Sequence, residues 1–276
     1  MTVRVLSIAN CKGGTGKTTS AVNLAAELGV RGYRVLVVDL DPQGHAGLGL
    51  GVSARLGSAN AHTPLLRAHT DYGGAAQATG EDNVAMVPAD RGFDGQLGNS
   101  DIHCIAAALA PLRHAHDLVL IDVPPAAAAL TICALMASDG VVVPTTLDPL
   151  GLEGVCQFAR SYHDTMLRLR AAPLGLAIAP MRVDLRTNVE RETLGQLRTA
   201  FGPGQMVRGV RTDVAVSEAF ARRRPVRHHR PQARAADDFS GLADDLVQRF
   251  GIDCAAAFAE PAHGRPEGFS RGVSWR

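Results

Sequence analysis

The stretch "CKGGTGKTT", Cys11 to Thr19, contains both lysines of the chain, and every other basic residue is arginine. An apolar run precedes it, "VRVLSIA" (3–9), which reads as a strand. "TTSAVNLAAELGVRG" (18–32) follows, with apolar residues at 21, 22, 24, 25 and 28 and a closing glycine, which predicts a helix. Strand, glycine-rich turn and helix in that order make a phosphate cradle. The glycines Gly13, Gly14 and Gly16 permit positive φ and close approach, the loop N–H groups point inward, and the helix N-terminus adds positive field. Lys17 is a compact charge on a flexible stem, suited to β- and γ-phosphate oxygens. Thr18 supplies the hydroxyl that such loops give to Mg²⁺, and Thr15 and Thr19 complete the cradle.

Outward from this loop, "RVLVVD" (34–39), "VAMVP" (84–88), "DLVLID" (117–122), "GVVVPT" (140–145) and "LGLAIAP" (174–180) are near-continuous apolar runs. Such runs mark strands buried on both faces of a parallel sheet. Helical patterns at 152–171 and 188–201 alternate with them. The prediction is an α/β three-layer sandwich, a mostly parallel sheet flanked by helices. Residues 51–83, rich in Gly, Ala and His, read either as a small helical insert or as long loops. One domain is expected over 1–255, with a disordered tail over 256–276.

The balance of the chain excludes several classes. Its 276 residues carry a net charge of +1, so bulk charge points to no partner. Five scattered cysteines form no CxxC pair, which argues against a zinc ribbon or an iron–sulfur carrier. The N-terminus shows neither a basic leader nor a long apolar segment, and no apolar run reaches membrane-spanning length. A cytoplasmic protein is expected.

Two acidic elements follow the loop. "VVDLDPQG" (37–44) places Asp39 and Asp41 at the end of the second strand, on the same strand face by alternation. "DLVLIDVPP" (117–125) is an apolar strand ending in Asp122, with Pro124 and Pro125 behind it. Phosphoryl transfer needs an oriented nucleophile and neutralised phosphate charge, and these carboxylates have the chemistry for both.

The spacing Lys12-Gly-Gly-Thr-Gly-Lys17-Thr-Thr resembles the deviant Walker A family of P-loop ATPases, whose loop reads KGGxGKT[ST]. The resemblance implies ATP and Mg²⁺ as ligands and a nucleotide-sandwich homodimer. It implies that Lys12 reaches the phosphates bound by the partner subunit. It also implies that Asp41 orients or activates the attacking water, that Asp39 supports the metal site, and that Asp122 holds Mg²⁺ through water. "LDPLGLEGVCQF" (147–158), "RVDLRTNVERETLGQLRTAFG" (182–202), "VRTDVAVSEAFARRRPV" (210–226) and "RPQARAADDFSGLADDL" (230–246) resemble ParA-type partition ATPases in particular, over about 250 residues. A short, chromosomal-type member is implied, with the adenine near Met181 and the 210–213 loop that contains Arg211.

ParA-type proteins bind DNA without sequence preference as ATP-bound dimers on the nucleoid, and a ParB-like or other adaptor stimulates their slow hydrolysis. Residues 182–234 hold 12 arginines against five acidic residues. Arg211, Arg222, Arg223, Arg224, Arg227, Arg230 and Arg234 are therefore the expected DNA contacts. The competing reading is a merely solvated arginine-rich face. His228 and His229 read as surface histidines rather than metal ligands. A MinD-like membrane cycle fits less well, because the last helix, "DDFSGLADDLVQRF", carries four Asp and one Arg. An iron–sulfur assembly ATPase would need clustered cysteines. Two further readings remain. One is the same ATPase positioning another cargo, such as a carboxysome or chemoreceptor cluster. The other is a nucleotide-gated scaffold whose turnover is incidental.

Overall fold

The computed structural model describes residues 3–254 apart from 56, 100, 126 and 173, so the expected tail over 256–276 lies outside the described residues. Among these residues eight strands form one sheet: β1 (Arg4–Ile8), β2 (Val35–Asp39), β3 (Gln77–Ala78), β4 (Val84–Val87), β5 (Leu118–Asp122), β6 (Gly140–Thr146), β7 (Gly175–Val183) and β8 (Val210–Arg211). Their order is β3-β4-β2-β5-β1-β6-β7-β8. All pairings are parallel except β3 with β4. The helices are α1 (Lys17–Gly29), α2 (His45–Gly49), α3 (Thr63–Leu66), α4 (Cys104–Leu109), α5 (Ala128–Met136), α6 (Pro149–Leu169), α7 (Asn188–Phe201), α8 (Val214–Ala221), α9 (Val226–His229) and α10 (Arg234–Phe250).

Alternation along the strands sets the layers. Leu6, Val35, Val37, Leu118 and Leu120 pack with α1, α8 and α10 on one face. Val5, Leu36, Val38, Val119 and Ile121 pack with α4, α5 and α6 on the other. A strand buried on both sides has no reason to alternate polar and apolar residues, and this accounts for the continuous apolar runs. The same parity puts Asp39 and Asp122 on the α1 face, at the carboxyl ends of neighbouring strands.

Two expectations change. Residues 51–83 are neither a helical insert nor loops alone. They hold the single turn α3 and the two-residue edge strand β3, anchored by the buried Tyr72, whose hydroxyl donates to the Ala61 carbonyl (2.8 Å). Asp41 does not share the β2 face with Asp39. The strand ends at Asp39, and the chain turns at Asp41, whose Oδ1 accepts from the Gln43 amide (3.0 Å).

His62 pins this region to the sheet. It is fully buried and stacked on Phe93 at 4.2 Å. Its Nδ1 accepts from the Asp90 amide (3.0 Å), and its Nε2 meets the Leu40 carbonyl (3.1 Å). That pairing fixes the neutral tautomer with the proton on Nε2. Burial holds its pKa below the usual histidine value. A base depressed in the fold is protonated first in the unfolded chain, so its contribution is complete above about pH 6.5 and is lost as pH falls below that. We expect unfolding free energy to fall by up to about 1.4 kcal/mol per pH unit in this window from this group alone. His62→Gln should flatten that part of the slope. Urea titrations of both proteins at pH 5.5, 6.5 and 7.5 check it; an identical pH dependence would contradict the assignment.

Candidate nucleotide site

The loop between β1 and α1 is held open from below. Asn10 donates to the Pro144 carbonyl (2.9 Å) and accepts from the Lys12 amide (3.1 Å), tying the loop to the end of β6. Gly14 (φ 72°) and Gly16 (φ 97°) occupy left-handed conformations, and Gly16 caps α1. A Cβ at Gly16 would also press on Met181 at 3.3 Å. Only glycine suits both demands.

Lys17 is 6% exposed and curls back over the loop, where its Nζ donates to the Lys12 carbonyl (3.0 Å). Burial pulls its pKa below the usual lysine value, opposed by the Asp122 and Asp41 carboxylates. It therefore sits as a partly desolvated cation at a loop built for anions. A cavity of about 660 Å³ opens over it, lined by the loop, Asp41, Met181, Arg211, Phe220 and Phe239 among others. Its size, with apolar walls at Met181, Phe220 and Phe239 and polar groups gathered on the loop and around Asp41, fits a nucleotide.

The two carboxylates beneath the loop are crowded. Asp39 and Asp122 are register partners on β2 and β5, and both are buried. Asp39 accepts from the Asp41 and Gly47 amides (3.1 and 3.2 Å). Burial pushes its pKa up to about 7, although those amides pull the other way. Neither oxygen of Asp122 meets the geometry of a hydrogen bond. Burial, then the charge of Asp39, drives its pKa well above the carboxylate range, and Thr18 lies near enough to pull it back only in part. A buried carboxylate with two open oxygens beside a second acid is a poor stabilising feature and a good cation anchor. No cluster of three or more His, Cys, Asp or Glu among the described residues could hold a metal alone. The Thr18 hydroxyl and the open Asp122 carboxylate are oxygen donors of the kind Mg²⁺ takes.

The remaining site residues divide. Thr15, Thr18, Thr19, Met181 and Arg211 line the cavity with the loop glycines Gly14 and Gly16. Gly13 and Lys12 do not line it. Lys12 turns instead to Asp148 (Nζ–Oδ1 3.4 Å), which also caps α6 by accepting from the Gly151 amide (2.8 Å). Sequence reasoning passed over Asp148, although an Asp immediately before Pro149 is a helix-start signal. It also passed over Arg182 as a loop contact: with φ 57°, it reaches the Gly14 carbonyl (Nη2–O 3.3 Å).

The expected DNA residues are less uniform than their run suggests. Arg211 forms a forked pair with Asp238 (2.8 and 2.9 Å), and Arg227 binds the buried Glu27 (2.5 Å). Arg230 pairs with Glu218 (3.4 Å), Arg234 reaches the Thr212 carbonyl (3.4 Å), and Arg222 contacts His229 (3.3 Å). Arg223 and Arg224 are exposed. His229 is a correction: its side chain is only 5% exposed, because it is clasped between Glu218 and Arg222. His228 faces Glu81 (2.7 Å).

Among the described residues, no helix is long and apolar enough to cross a membrane. Residues 3–171 match the family model described as "AAA domain". The chain is 35% identical to the chromosome-partitioning ATPase Soj of Thermus thermophilus over 252 residues, covering 90% of this chain and 96% of Soj. The structure of apo McdA from Cyanothece superposes with a TM-score of 0.77 at 20% identity, covering 88% of this chain and 99% of that one. Cobyrinic acid a,c-diamide synthase from Mycobacterium smegmatis, solved with an ATP analogue and magnesium, gives 0.72 at 28% identity, covering 90% and 96%.

Proposed function

Because the chain belongs to the AAA-domain family of ParA/Soj/MinD-type P-loop ATPases with a deviant Walker A loop, we propose that it is a partition ATPase whose ATP-bound homodimer holds DNA and releases it on hydrolysis. The observation that carries this reading is the pairing of a desolvated Lys17 inside the loop with a second lysine, Lys12, held outside it. One lysine serves the chain's own nucleotide, and the other, held in a half-exposed pair with Asp148, serves a neighbour's.

In this reading Lys17 and the loop amides hold the β- and γ-phosphates. Thr18, Asp122 and, behind them, Asp39 would hold Mg²⁺, which neutralises phosphate charge when bound. Asp41, beyond the strand end and facing the cavity, orients the attacking water. Lys12 leaves Asp148 and meets the phosphates of the partner subunit. Two lysines facing one triphosphate link dimer closure to the γ-phosphate, so ATP acts as a switch. The protein works in the cytoplasm on the nucleoid, with an adaptor of the ParB kind stimulating hydrolysis.

The DNA half of the proposal rests on the exposed Arg222–Arg224 segment. Replacing Arg222, Arg223 and Arg224 with Glu should weaken DNA binding by at least about tenfold at 100 mM salt and flatten the salt dependence, leaving ATP affinity in place. Fluorescence anisotropy with a random-sequence duplex over a salt series checks this. An unchanged slope would move the DNA surface elsewhere.

A further inference from the structure

A second cavity, about 520 Å³, is lined by residues that follow the carboxyl ends of β2 and β4, among them Gly44, Pro88 and Ala89. Three arginines from three separate segments line it: Arg55 from the 51–60 loop, Arg91 from the turn after β4, and Arg223 from the end of α8. Each is exposed, and none of the three guanidinium groups has a hydrogen-bond or ion-pair partner among the described residues. The lining holds one carboxylate, Asp90, and its oxygens are already engaged by the Gly92 amide (2.8 Å) and the Asn60 side chain (3.5 Å).

Three like charges around one concavity give it a positive potential that attracts anions. Much of the remaining wall is glycine, including Gly44, over whose backbone Arg91 lies: a Cβ there would come within 2.9 Å of the Arg91 Nε. Planar guanidinium groups beside bare backbone suit phosphate oxygens. The lining contains no buried polar side chain that would select a particular small molecule. Exposed, adaptable arginines suit a sequence-neutral phosphate backbone better than a selective small-ligand pocket. Arg223 belongs both to this cavity and to the Arg222–Arg224 run. Its left-handed backbone (φ 55°) ends α8 between two neighbours that do not line the cavity.

We propose that this cavity is a second phosphate site, in which Arg55 and Arg91 join Arg223 in gripping the backbone of bound DNA. The inference rests on the DNA-binding reading above and extends the contact surface to two segments far from it in sequence. Because Arg91 covers the turn that follows Asp41, DNA held here touches the same turn that faces the nucleotide.

The test compares the ATP-bound wild type with the double variant Arg55→Ala/Arg91→Ala, measuring duplex affinity across a salt series. Removing two phosphate contacts should make the slope of log K against log salt shallower by about 1.8 for each subunit that touches the duplex. Arg55→Lys/Arg91→Lys keeps both charges and should keep the slope, even if alanine at these positions disturbs the fold. Arg168→Ala/Arg170→Ala removes two exposed charges at the end of α6 and should leave the slope as it is. A wild-type slope in Arg55→Ala/Arg91→Ala would overturn the inference. So would loss of tripolyphosphate binding in that variant, by calorimetry, with an unchanged DNA slope, because the site would then serve a small phosphorylated ligand. If wild-type protein with ATP binds no DNA, the function proposed above fails. If it binds DNA through Arg222–Arg224 but ignores Arg55 and Arg91, only this inference fails.

Discussion

Lys17→Ala is expected to weaken ATP binding by at least about 30-fold. The side chain is buried at the loop, and among the described residues its ammonium has the Lys12 carbonyl as its hydrogen-bond partner. Losing the cation from a desolvated phosphate contact costs about 2–5 kcal/mol, or at least about 30-fold in affinity. Titration with a fluorescent ATP analogue measures it. Affinity within a factor of three of wild type would mean that the phosphates lie elsewhere. Removing Lys17 should not collapse the fold, because its hydrogen bond to the Lys12 carbonyl is local and α1 keeps its apolar contacts with the sheet.

Lys12→Ala is expected to separate two steps that Lys17→Ala cannot. The residue lies outside the nucleotide cavity and makes a half-exposed pair with Asp148, so its loss should leave ATP affinity within about threefold of wild type. Dimerisation with ATP should fall by at least about tenfold, since one buried charge-to-phosphate contact is lost at each of two symmetric sites. Titration with the fluorescent ATP analogue reads the first outcome, and sedimentation velocity with and without ATP reads the second. Asp148→Asn should act in the opposite direction. It frees Lys12 from its own subunit while the amide oxygen can still accept from Gly151, so dimers should form at lower protein concentration.

Much of this was legible from the chain alone. The phosphate loop declares itself because its demands are local: positive φ at Gly14 and Gly16, a lysine next, then a hydroxyl. The helix over 188–201 matches its pattern to the residue, because Thr187 caps it and Gly202 ends it. β3 and β8 escaped because two residues carry no periodicity, and only pairing with β4 and β7 makes them strands. The charges of the arginine run were legible, but their partners were not. Glu27 lies 200 positions from Arg227, and nothing near either residue announces the other. His62 gave no signal either, since its partners, Leu40 and Asp90, are brought to it only by the sheet. Asp41 was misplaced on a strand face because alternation says nothing about where a strand stops.

The measurement that bears most directly on the central claim mixes two inactive proteins. In the proposed reading Lys12→Ala lacks the lysine that reaches the partner, and Asp41→Ala lacks the carboxylate that orients water. If each centre takes its Asp41 from one subunit and its Lys12 from the other, a mixed dimer contains one complete centre. Steady-state ATPase assays of the equimolar mixture, with DNA and adaptor present, should then show activity well above that of either protein alone, approaching about a quarter of wild type under random pairing. Activity no higher than the average of the two separate proteins would mean that Lys12 serves its own subunit, and the account would be wrong.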